Sequence, residues 1–183
     1  MTRTVARLRH ELEVLSRLAK SLVSVTQLDD LLFEITRSVA DVLEFPDCVL
    51  YLWDEKSELL VQRAAAGPKL DPRQRRVVDP LRLRMGQGIV GGAAALREVQ
   101  LIDDVRSDLR YIADVRGGGL SELAVPILFH DRLIGVLDAE HREANSFTVD
   151  DAIVLSRFAD LCAAAIVSMQ LIEAARGGPL PPA

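Results

Sequence analysis

The sequence predicts an α+β fold: an antiparallel sheet with helices at both ends of the chain. Three observations carry this. Apolar side chains recur at three- and four-residue steps near both termini, which is the helical period. The middle of the chain reads as short runs rich in strand formers, several alternating apolar and polar residues. No strand–helix–strand repetition occurs, which argues against a doubly wound parallel sheet.

The elements follow in order. From about Thr4 to Val25, Val5, Leu8, Leu12, Leu15, Ala19 and Leu22 form a narrow seam, while Arg3, Arg7, Arg9, Glu11, Glu13 and Arg17 take the other faces. The regular alternation of steps favours a coiled-coil-like contact over a helix lying on its own domain. A second helix is expected from Thr26, with Asp29 completing a capping box, through Leu28, Leu31, Leu32, Ile35, Val39 and Val42 to a stop at Pro46. Asp47–Asp54 and Glu58–Ala66 read as a hairpin. Pro68–Pro80 reads as loop or short helix, Leu81–Arg84 and Val99–Ile102 as short strands, and Gly88–Leu96 as a glycine-opened helix. Residues 103–119 form a long polar segment ending in three glycines, long enough to cover a site. The last helix spans 148–175, capped by Thr148. It is apolar on two sides and so needs two partners. The expected division is 1–25 as an N-terminal amphipathic or coiled helix, 26–172 as the domain, and 173–183 as a tail or linker.

Composition narrows the function classes. The chain has 183 residues, 49% hydrophobic and 27% charged, with a formal net charge of -5. An acidic surface disfavours nucleic acid and anionic membrane as partners. The N-terminus has no apolar core of a signal peptide, and no apolar run is read as a membrane span, so the expected localisation is cytoplasmic. The two cysteines, Cys48 and Cys162, lie in apolar periodic segments and are expected to be buried, unpaired and inert.

The hairpin Glu122–Phe129 and Leu133–Glu140 is the most informative stretch. Leu123, Val125, Ile127 and Phe129 make one uninterrupted apolar set, and Leu133, Gly135, Leu137 and Ala139 make another. Matching the sets pairs Phe129 with Leu133, Glu122 with Glu140 and Ala124 with Asp138. Glu122, Asp138 and Glu140 then gather on one face. Such crowding is unfavourable unless water, a cation or hydrogen-bond donors intervene. A solvated sheet end is the plain reading; a ligand site is the sharper one. Tyr111 in the covering segment is placed to stack on or hydrogen-bond a ligand, and Gly88 and Val90 supply small neighbouring residues.

Five stretches carry a family resemblance: Gly86–Gly91 (GQGIVG), Ile102–Asp108 (IDDVRSD), Ser121–Ile127 (SELAVPI), Leu133–Asp138 (LIGVLD) and Phe147–Asp151 (FTVDD). In order and spacing they resemble the GAF domain family of small-molecule-sensing modules, common in bacterial signalling proteins. The resemblance covers roughly residues 15–172. It implies five or six antiparallel strands, terminal helices packed on one face, a loop-covered pocket on the other, and homodimers joined through the helices.

Sharper readings within the family can be weighed residue by residue. One branch reduces free methionine sulfoxide and uses carboxylates for the substrate amine. Glu122 and Asp138 resemble these, but Val90 and Asp114 stand where that branch has cysteines, so reductase chemistry lacks its thiolate. Asn145, Phe147 and Asp151 resemble parts of a cyclic-nucleotide pattern, but the spacing is short and a helix cap explains them. Of His10, His130 and His141, none lies in the 103–119 cover, which disfavours haem or bilin. A metal held by Glu122, Asp138, Glu140 and His141 is weakened because Glu140 and His141 point to opposite sides of a strand. The expected function is a non-enzymatic, dimeric sensory module for signal transduction with no metal. Its small-molecule ligand and any cofactor are unspecified, and its output is a downstream partner or a domain outside these residues. The alternative is a standalone small-molecule enzyme with a carboxylate-lined site.

Overall fold

Residue 16 and residues 25–71, 73–113 and 118–177 are described by the structure, a computed structural model. The seam residues Val5, Leu8, Leu12, Leu15, Ala19 and Leu22 therefore fall outside the described residues, as do the end of the tail and residues 114–117 of the covering segment.

The alternating runs build one six-stranded antiparallel sheet. Its strands are β1 (Asp47–Asp54), β2 (Leu59–Ala66), β5 (Arg82–Arg84), β6 (Gln100–Ile102), β7 (Ser121–Phe129) and β8 (Arg132–His141), in the order β5-β2-β1-β8-β7-β6. The segment expected to be loop or short helix instead forms a miniature second sheet from β3 (Leu70–Asp71) and β4 (Arg76–Val77). Pro68 and Pro80 bracket it, and a run of arginines at its tip has no apolar stripe that would pin a helix.

Three helices complete the domain: α1 (Leu28–Leu43), α2 (Gly88–Leu96) and α3 (Val149–Ala175). Helix α3 starts on the expected cap. Asp151 N–H donates to Thr148 Oγ1 at 3.2 Å, and Thr148 N–H donates back to Asp151 Oδ2 at 2.9 Å. Helix α1 departs from expectation. Its N-cap is Gln27, which makes no side-chain cap, and the Leu28 N–H donates instead to Glu173 Oε1 at 2.7 Å. The orphan donor of one helix is thus satisfied by the far end of the other.

The sheet separates two apolar clusters. Cys48, Leu50 and Leu52 of β1, Leu123, Val125 and Ile127 of β7, and Leu137 and Ala139 of β8 face α1 and α3. Val49, Tyr51, Ala124 and Val136 face α2 and the loops. The hairpin β7–β8 has the anticipated pairs Glu122–Glu140 and Ala124–Asp138. Its far end differs: a register shift between Ile127 and Leu128 pairs Phe129 with Arg132, not Leu133. The extra residue is Ile134, which joins the helix-side cluster while Leu133 turns to the other face. Both residues are buried, Ile134 on the helix side and Leu133 on the other. The turn itself is the short one expected, with His130 and Asp131 both left-handed (φ 47° and 60°).

Helix α3 buries Leu155, Phe158, Cys162 and Met169 against the sheet. Its second apolar side stays open: Leu161 is 46% and Leu171 66% exposed. By length and composition α3 is long and apolar enough to cross a bilayer, contrary to expectation. Half of its most apolar window is buried inside the domain, so core packing accounts for that character.

Cys48 and Cys162 are buried and free, in the helix-side cluster. Burial pushes the Cys162 thiol up to about 12. Burial first, then the charges of Asp138 and Asp47, raises Cys48 well above the usual thiol range. Neither is expected to react with a water-soluble disulfide reagent at neutral pH until the protein is denatured. Stoichiometric labelling of the native protein within minutes would contradict this packing.

Candidate functional site

The carboxylates are positioned by strand pairing. Asp47 of β1 pairs with Glu140 of β8, which pairs with Glu122 of β7, so three carboxylates lie side by side in one row across three strands. Neighbours in such a row stand roughly 5 Å apart at the backbone. Asp138 lies two residues along β8 on the same face, opposite Val49 and Ala124. All four side chains are buried, beside the cluster that includes Val49, Tyr51, Ala124 and Val136.

The cation that makes this tolerable comes from the segment between β2 and β4. Lys69 is 1% exposed. Its Nζ donates to Glu140 Oε1 at 2.7 Å and stands 3.8 Å from Asp47 Oδ2. Lys69 is delivered by a tight turn at Gly67, whose φ is +109°. A Cβ there would lie 2.5 Å from the Pro46 carbonyl oxygen, so the close crossing over the start of β1 requires glycine. Beyond the turn, the Val78 N–H donates to the Lys69 carbonyl at 3.0 Å and ties together the two sides of the strap that carries Lys69.

Glu140 also ties down the covering segment. Its Oε2 accepts from the Gly119 N–H at 2.8 Å and from the Tyr111 hydroxyl at 3.3 Å. Gly119 is held close: a Cβ would lie 2.9 Å from the carbonyl oxygens of both His141 and Ser121. One carboxylate therefore joins the strap, the cover and the sheet. The other acids are unlike it. Burial raises Glu122 well above the usual carboxylate range, reinforced by the charges of Asp138 and Glu140. Asp138 is raised by burial and by Glu140, with Lys69 opposing, and it accepts a hydrogen bond from Glu122. Both members of that acid pair are thus pushed toward holding a proton. Asp138 Oδ1 is buried with no hydrogen-bond partner among the described residues. The Lys69 ammonium is held charged by Asp138, Glu140 and Asp47 despite its burial.

The anticipated residues come together in part. Glu122, Asp138 and Glu140 share a small cavity of about 10 Å³ with Gly88, Val90 and Lys69, room for about one water. Tyr111 reaches the site through its hydroxyl on Glu140. A larger cleft of about 440 Å³ opens beside it, where Asp47, Glu140, Gly118, Gly119, His141 and Arg142 meet. Two residues of the cluster, Lys69 and Asp47, were missed by sequence reasoning. Asp47 was recoverable by extending the pairing argument to β1. Lys69 had no local signal, because only the tertiary crossing at Gly67 carries it inward. Among the described residues, no group of three or more His, Cys, Asp and Glu side chains is arranged to hold a metal ion.

Two outcomes follow. Glu140→Gln removes the ionised partner of a buried ammonium and is expected to destabilise the protein by about 3–5 kcal/mol in urea unfolding. Glu122 binds its proton more tightly folded than unfolded, so its contribution to stability falls as pH rises from the unfolded glutamate value, about 4.3, toward the raised folded value. Glu122→Gln should therefore flatten the decline of thermal midpoint as pH rises above about 4.3. An unchanged slope would mean that Glu122 is not the proton-holding acid.

Comparison with known proteins places this arrangement. The family model described as GAF domain matches residues 27–166. The free methionine-R-sulfoxide reductase of Escherichia coli strain K12 is 34% identical over 71 residues, 39% of this chain and 42% of that protein, so the match spans about two fifths of the relative. Among solved structures, the GAF domain of a phosphoenolpyruvate-protein phosphotransferase from Coxiella burnetii has a TM-score of 0.77 at 21% identity, covering 92% of this chain and 97% of that one. The free methionine-R-sulfoxide reductase of Neisseria meningitidis, in complex with its substrate, has a TM-score of 0.74 at 23% identity, covering 88% and 90%. At these identities the structural likeness speaks for the fold. The family match over most of the chain, on a six-stranded antiparallel sheet with α1 and α3 on one face and α2 and the acidic row on the other, makes the chain a member of the GAF domain family.

Proposed function

We propose that the chain is a non-enzymatic, cytoplasmic sensory module that acts in signal transduction as a homodimer. Its small-molecule ligand, neutral or cationic, binds at Glu122, Asp138 and Glu140, with Tyr111, Gly88 and Val90 at the margins. The observation that carries this reading is the separation of acids from thiols. The carboxylates lie on one face of the sheet and both cysteines on the other, buried and with raised pKa values. Thiol-based reduction needs an accessible thiolate beside the substrate. Signalling would then be a population shift: ligand contacts with Glu140 alter the cover held by Tyr111 and Gly119, and the helices pass the change to a partner.

The open side of α3 supports the dimer. Leu161, Leu171 and Ile172 are exposed along it, and an apolar stripe of this kind is ordinarily covered. Leu161→Glu with Leu171→Glu should yield a folded monomer in sedimentation velocity, while wild type sediments as a dimer. A monomeric wild type at high micromolar concentration would refute the dimer.

The relationship to the Escherichia coli reductase favours a second reading, a carboxylate-lined enzyme on methionine sulfoxide. Incubation with free methionine-R-sulfoxide and dithiothreitol separates the two. The sensory reading expects no methionine above the thiol-only background. Turnover that disappears in Cys48→Ser or Cys162→Ser would establish the enzyme instead. Native mass spectrometry of protein purified without added ligand should show a co-purified small molecule, lost in Glu122→Gln with Asp138→Asn.

A further inference from the structure

We propose that the small cavity among the acids is a single-water site: one buried water accepts a hydrogen bond from the Tyr51 hydroxyl and donates to Asp138 Oδ1, which makes Tyr51 a positioning residue for Asp138. The proposal is independent of the sensory reading and gives a role to Tyr51, which that reading does not use.

Gln62 fixes the direction of the hydrogen bonds. Its Oε1 accepts from the Leu81 N–H at 2.9 Å, so its Nε2 is the atom turned to Tyr51, 2.7 Å from the hydroxyl. An amide nitrogen only donates, so the Tyr51 oxygen accepts there and its own proton points elsewhere. Burial first, then the charge of Asp138, holds the phenol well above its usual range, so that proton is retained. Tyr51 is buried, and among the described residues nothing accepts its proton.

Asp138 has the complementary deficit. It is buried, and its Oδ1 has no hydrogen-bond partner among the described residues. Strand register brings the two side chains to one face. Val49 pairs with Asp138 and Tyr51 with Val136, so Tyr51 and Asp138 are diagonal neighbours across β1 and β8. Such positions stand roughly 7–8 Å apart at the backbone, within reach of an aromatic side chain. Both residues line the cavity of about 10 Å³. A buried water fits a space of that size and needs roughly two to four polar partners. A donor and an acceptor, each costly to leave unmade, therefore face a space that one molecule able to serve both would fill. Lys69 lines the same cavity and already supplies a positive charge, which disfavours a cation as the occupant.

A crystal structure of the wild-type protein, at a resolution that orders internal solvent, tests this directly. The map should hold one water within hydrogen-bonding distance of both Tyr51 Oη and Asp138 Oδ1. Tyr51→Phe keeps the ring, removes the hydroxyl and should lose that water. The lower midpoint at which the Glu122–Asp138 pair titrates, read from the two carboxyl carbons by NMR, should then rise by about one pH unit, because the ionised form loses a donor. Gln62→Met unties the far side of the hydroxyl; it should keep the water and leave that midpoint in place. A wild-type map with no water there, with the Tyr51 hydroxyl bonded directly to Asp138, or with ligand density at that position overturns the proposal. So does a Tyr51→Phe titration that matches wild type, or a Gln62→Met titration that moves as far. If Tyr51→Phe does not fold, the wild-type map decides alone.

Discussion

An ammonium buried beside carboxylates is tolerable only where geometry holds the charges together, and the contact between Lys69 and Glu140 is the point at which this domain meets that demand. Strand pairing alone would set Asp47, Glu140 and Glu122 in a row with no cation between them. Lys69 supplies that cation, and it enters because Gly67 permits a crossing over Pro46 that no side chain would fit. Glu140 in turn fixes the cover through Gly119 and Tyr111. Removing the pair would leave the sheet but unfasten the two segments that close its polar face.

The remainder of the design keeps that polar face apart from the apolar one. Leu50, Leu123, Leu137 and Phe158 lie in a cluster with both cysteines, and the helices seal it. The charged groups sit on the opposite side of the same strands, at alternate positions. Burial and mutual repulsion push Glu122 and Asp138 toward holding a proton, which lowers the charge that Lys69 must balance. A sheet of this kind tolerates a charged site because the helix side supplies the burial that stabilises the fold.

What was legible in the sequence follows this division. The strands of the six-stranded sheet, the glycine-opened helix, the Thr148 cap and the pairs Glu122–Glu140 and Ala124–Asp138 were all readable, because alternation and capping are local signals. The small β3–β4 sheet and three further features were not. The bulge at Ile134 breaks the alternation, and a search for the longest uninterrupted apolar match assumes that no residue is skipped. The Glu173 cap of α1 is a contact across 145 residues. Lys69 lies in a segment with turn composition and becomes a core residue through one backbone crossing. The site was thus half visible: its acids came from strand arithmetic, and its cation came from tertiary structure.

The account's central claim is that the Lys69 ammonium is buried, charged and bonded to Glu140. With three lysines in the chain, side-chain nitrogen NMR on lysine-labelled protein reads it directly. The expected result at neutral pH is one ammonium signal protected from solvent exchange, distinct from those of Lys20 and Lys56, and lost in Glu140→Gln. Three rapidly exchanging ammonium signals in the wild-type protein, unaltered by that substitution, would contradict it.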